Sequence, residues 1–154
     1  MNRTTAREIA MHLVFEMTFT GVPAGELLER ELDRESFALR AETEPLYGEF
    51  PDRGSLEYIA GVVTGVEEHG AELEEAISRY ARGWRLKRID RVAAAMMRVC
   101  LYEILYLPDV PDSAAINEAV EIAKGYVDDD VVKFINGILG SFVRDRTPGP
   151  EDEG

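Results

Sequence analysis

Lys133, Phe134 and Asn136 lie close together just after three aspartates, Asp128, Asp129 and Asp130. On a helix that opens at the aspartates, the lysine and the first backbone N–H groups favour a phosphate. A phenylalanine beside an amide that both donates and accepts suits a single-stranded base. The competing reading packs this helix on both sides and leaves Asn136 bonded to a loop carbonyl. The aspartates themselves read as capping groups, since negative charge meets the positive end of the helix dipole; metal binding is the lesser reading of that run. A second row, Arg3, Arg7, Met11, Phe15 and Phe19, has a spacing of four. It begins basic and turns apolar and aromatic. Arginine suits phosphate, and an exposed aromatic stacks on a base or anchors a protein partner. The same residues could equally widen a buried face.

Catalytic patterns are thin. His12 and His69 have no paired metal-ligand spacing, and Glu8 with His12 is a single weak pair. No glycine-rich phosphate loop, nucleophile elbow or CxxC is present. The expectation is a binding module without catalytic residues, metal or cofactor. Cys100, the single cysteine, lies among apolar neighbours and reads as a buried reduced thiol. No stretch approaches the roughly 20 apolar residues of a membrane span. The start, "MNRTTAREIAMHLVF", lacks the apolar core of a secretory signal. Cytoplasmic residence with no membrane contact is expected.

Net charge is −13, which disfavours general affinity for polyanions. The charge is uneven. Residues 26–75 hold fifteen acids against four bases, whereas residues 82–98 hold six bases against one acid. That basic cluster is either a phosphate patch or a solvated helix start with scattered charges.

Helical periodicity runs through almost the whole chain. Ala6, Ile9, Ala10, Leu13, Val14 and Met17 mark one buried face of a first helix. Leu27, Leu28, Leu32 and Phe37 mark a second, over about 24–40. Residues 41–54, with two prolines and two glycines, read as a loop. Helix follows over about 55–82, interrupted near Gly70. Residues 89–107 are apolar nearly all round, the pattern of a central helix. "LPDVPDS" stops it. Asp112 or Ser113 can cap the next helix, over about 113–127, and the aspartate run opens the last. The predicted fold is all-α, with six or seven helices in two small helical subdomains. It occupies residues 1–146, and 147–154 form a disordered acidic tail.

The run "RVCLYEILYLPDVPDSAAINEAVEIAKGYVDDDVVKFINGIL" carries a resemblance. It is similar to the NusB family of bacterial transcription antitermination factors. The family pattern appears as Met97-Arg98, Tyr102-Glu103, Pro111, Ile116-Asn117-Glu118-Ala119, Ala123-Lys124 and Lys133-Phe134-Ile135-Asn136-Gly137. It is dense over about 84–143 and continues in the first helix as Ala6-Arg7-Glu8 and Leu13-Val14-Phe15. Residues 20–80 match in length and helicity only.

The resemblance implies a non-catalytic all-helical adaptor that pairs with the ribosomal protein NusE. It implies binding of boxA RNA in nascent ribosomal transcripts, within an RNA polymerase complex containing other Nus factors. In the family, RNA meets the start of the first helix and the last two helices. Carried over, the RNA-binding residues are Arg3, Arg7, Asp130, Lys133, Phe134 and Asn136. Phe15, Tyr102 and Glu103 are the candidates for the protein-partner side. Some members form a homodimer that buries the RNA face. Many members have an arginine-rich start, where this chain has Thr4 and Thr5; acidic residues that members often carry are replaced by Ala93 and Ala94. Fewer phosphate contacts from the first helix are then expected, with the 82–98 basic cluster as a compensating phosphate site that reversal of Arg85, Lys87 and Arg88 to glutamate would test. Two rivals remain: a protein-only scaffold, and a relative of the RNA-binding domain of an RNA cytosine methyltransferase.

Overall fold

The computed structural model describes residues 1–81 and 89–146. The expected acidic tail, 147–154, and the basic residues Arg85, Lys87 and Arg88 lie outside the described residues. The chain divides into two compact units, Met1–His69 and Gly70–Gly154.

In the first unit, α1 (Arg3–Thr20) packs against α4 (Arg53–Glu68) and α2 (Ala24–Glu31). The periodic face predicted for α1 is the one buried: Ala6, Ile9, Ala10, Leu13, Val14 and Met17 all lie in the core. The Asn2 side chain caps its start, accepting from the Thr5 N–H at 2.7 Å. Gly21 ends it in the left-handed conformation, φ 78°, where glycine carries no Cβ penalty. The Asp52 carboxylate caps α4 through the Ser55 N–H at 2.8 Å and also meets the chain's N-terminal amine. These donors, the Ser55 N–H first, hold Asp52 down to a pKa of about 2.

The helix expected over 24–40 is two helices, α2 and α3 (Arg34–Ala41). The chain leaves helical geometry at Leu32, φ −88° and ψ 58°. Asp33 then caps α3, accepting from the Ser36 N–H at 3.1 Å, while the Ser36 hydroxyl donates to the Arg30 carbonyl at 3.0 Å. Side-chain bonds at Asp33 and Ser36 thus offer the backbone an alternative to a continuous helix. A short 3-10 turn, Pro45–Tyr47, lies in the expected loop. Its Tyr47 hydroxyl lies 2.9 Å from His12 Nδ1 and accepts from Arg40 at 2.9 Å. Burial lowers the His12 pKa and raises that of Tyr47 to about 12, so both stay neutral near pH 7.

The second unit contains α5 (Gly70–Tyr80), α6 (Arg91–Tyr106), α7 (Asp112–Ala123) and α8 (Asp129–Arg146). Every residue of α6 from Ala93 to Leu101 is buried, and α5, α7 and α8 all pack on it. The Asp90 carboxylate caps α6, accepting from Val92 and Ala93 N–H at 2.9 and 3.0 Å. Neither Asp112 nor Ser113 caps α7: helix begins directly after Pro111, with no side-chain cap bond. Among the described residues there are eight α-helices rather than six or seven, and the α2–α3 break accounts for the excess.

Candidate nucleic-acid interface

The α8 helix sorts its residues by face. Val132, Ile135, Ile138 and Leu139 are buried. Asp129, Asp130, Lys133, Asn136 and Gly137 are exposed, and at helical spacing they share one outward arc. Phe134 flanks that arc and is half-buried. Asp128 caps the helix, accepting from the Val131 N–H at 3.1 Å. No group of three or more metal-ligating side chains occurs among the described residues. The capping reading of the aspartate run therefore has a physical basis at Asp128, while Asp129 and Asp130 lie in the first turn, near the positive dipole end.

The row on α1 is less uniform than its spacing suggests. Arg3 is exposed, with its guanidinium over the Tyr58 ring, 4.0 Å from the centroid. A cation over a ring face is attracted by the ring's quadrupole. One turn on, Arg7 is only 3% exposed. Its side chain is not presented to a phosphate, contrary to the expectation for that position. Met11, at 1%, belongs to the core and does widen the buried face. Phe15 is half-buried and lies parallel to Phe19, with centroids 5.9 Å apart and planes 8° apart. Phe19 is 59% exposed. The aromatic end of the row is therefore a genuine surface feature.

The partner candidates on α6 divide as well. Tyr102 is half-buried against Tyr106, centroids 5.3 Å apart. The Tyr106 hydroxyl donates to the Glu72 carboxylate. Glu103 is fully buried, so its carboxylate is not available to a docking protein. Arg98, in the predicted basic cluster, is buried and paired with Glu74 at 3.3 Å. Burial lowers its pKa, the cost of withdrawing a guanidinium from water. Arg91 alone of the described cationic residues in that cluster is exposed.

The family model described as "NusB family" matches residues 4–144, nearly the whole chain. The chain belongs to the NusB family. A transcription antitermination protein NusB from Symbiobacterium thermophilum is 40% identical over 147 residues, covering 94% of this chain and 90% of the relative. The structure of NusB from T. maritima matches with a TM-score of 0.72 and 25% identity, covering 96% of this chain and 94% of that one. A structure of the antitermination factors NusB and NusE in complex with dsRNA matches with a TM-score of 0.73, covering 93% and 96%. At 21% identity, that match speaks to the NusB fold alone.

Spacing puts Phe15 and Phe19 one turn apart on α1; their stacking is a finding of the structure, as is the burial of Arg7 and Glu103. No signal in the sequence pointed to the cluster of His12, Tyr47, Arg40, Glu16 and Glu31, because its bonded partners are 7 to 35 residues apart. Arg40 reaches Glu31 at 3.0 Å and Glu16 at 3.3 Å there. These bonds tie α1, α2, α3 and the 3-10 turn together within the first unit.

Proposed function

We propose that this NusB family member is a non-catalytic transcription antitermination adaptor. It pairs with NusE and holds boxA RNA of nascent ribosomal transcripts, within the RNA polymerase complex of the cytoplasm. The observation that carries this reading is the family match over residues 4–144, which includes the exposed arc of α8. In that arc, Lys133 binds phosphate, Asn136 bonds a base edge, and Phe134 supplies an aromatic surface for stacking. Asp130 accepts from a base amino group or a ribose hydroxyl. Arg3 adds a phosphate contact from α1. Arg7, being buried, supports the start of α1 from within. Phe15, with Phe19, and Tyr102, with Tyr106, supply aromatic surface to the protein partner; Glu103 supports α6 from inside.

Phosphate contacts from the described residues are few, and the chain's net charge is −13. The basic ribosomal protein therefore supplies much of the cationic surface, and the chain alone binds RNA weakly. Titrating a labelled boxA RNA with the chain alone and with the chain plus NusE tests this. A large gain with NusE is expected. Equal affinities in the two titrations contradict it.

The burial of Arg7 and Arg98 favours a second reading, a scaffold that binds protein and little RNA. On that reading, the NusE complex forms but gains no RNA affinity over NusE by itself.

A further inference from the structure

Two glycines stand on exposed faces inside long helices, at positions where an added Cβ meets nothing within 4 Å: Gly61 in α4 and Gly137 in α8. Glycine inside a helix is less stable than alanine, because its backbone has more freedom to lose. Neither position requires glycine conformationally; among the described residues only Gly21 has positive φ. Nor does packing within the chain require it, since the space above each is open. Gly140 on the same helix differs, because a Cβ there lies 3.2 Å from Arg144 Nη1. The surroundings separate the two open glycines. Gly61 follows exposed Glu57 by one turn, whereas Gly137 follows exposed Lys133 by one turn and adjoins exposed Asn136.

We propose that Gly137 clears the α8 surface so that the sugar–phosphate chain of bound RNA comes into van der Waals contact with the helix backbone beside Lys133 and Asn136. This rests on the RNA-binding reading of α8 given above. Close approach of backbone to a ligand is a recurrent use of glycine. A methyl at this position holds the strand away from the helix. The Lys133–phosphate contact and the Asn136 hydrogen bond then lengthen together, although neither residue has changed.

The test uses the full chain bound to NusE, a single-stranded boxA RNA oligonucleotide as probe, and three variants: Gly137→Ala, Gly61→Ala and Lys133→Ala. Both glycine variants are expected to raise Tm by about 2 °C. Gly137→Ala is expected to keep NusE binding and weaken RNA binding by about tenfold, the scale of forcing one extra methyl into a filled contact. Gly61→Ala is expected to leave RNA binding unchanged. Wild-type RNA affinity in Gly137→Ala, with weakened binding in Lys133→Ala, overturns the role of Gly137 and leaves the α8 reading standing. Wild-type affinity in both removes the α8 reading and this inference with it. A lower Tm in Gly137→Ala shows that the fold itself needs the glycine, and also overturns the inference.

Discussion

Lys133 and Arg7 carry the same charge, and residue type suits both to phosphate, yet one is at the surface and the other is 3% exposed. Burying a guanidinium is costly unless it is paired, as Arg98 is with Glu74; Arg7 is buried as well. The exposed lysine is the one able to release counterions from a nucleic acid. Lys133→Ala should therefore weaken boxA binding at every base sequence alike and reduce the slope of log affinity against log salt by about 1. Titrations at several salt concentrations measure both. An unchanged slope removes Lys133 from the phosphate contacts. Residue type and spacing marked Lys133, Phe134 and Asn136, and the structure leaves them accessible or half-accessible. Arg7 lies seven residues before Val14 and Glu103 seven after Met96, beside buried stripes, but their charged side chains read as surface groups.

Helices were more legible than their ends. The apolar rows of α1 and α6 predicted which faces are buried, since a helix in a small unit has to turn one stripe inward. The α2–α3 break was hidden for the same reason: Leu27, Leu28, Leu32 and Phe37 keep helical spacing across it. What breaks the helix is local polar chemistry at Asp33 and Ser36, to which periodicity is blind. The start of α8 was legible through its aspartates, although only Asp128 shows the capping bond. Asp128→Ala should lower the stability of the chain by about 1 kcal/mol, the ordinary worth of an N-cap side chain. Urea denaturation followed by far-ultraviolet circular dichroism reads that loss. A midpoint equal to wild type would mean that backbone and solvent satisfy the first turn without Asp128.

Across the whole molecule, neither half has surplus positive charge. Residues 1–69 carry six bases against fourteen acids, and residues 70–154 carry eleven against sixteen. A chain of this balance repels a polyanion at long range. That property suits an adaptor which engages RNA beside a cationic companion. The fold class and the family motifs were readable because helical periodicity and the run from Arg98 to Leu139 are local features of the sequence. Charge totals do not reveal which cations reach solvent; that distribution is a property of the packed chain.

The most direct measurement is photo-crosslinking of thiouridine-substituted boxA RNA to the complex of this chain with NusE, followed by peptide mapping. The account predicts crosslinks on the first two turns of α8, at or next to Phe134, and their loss in Phe134→Ala. Crosslinks confined to NusE, or mapping away from α8 on this chain, would contradict it.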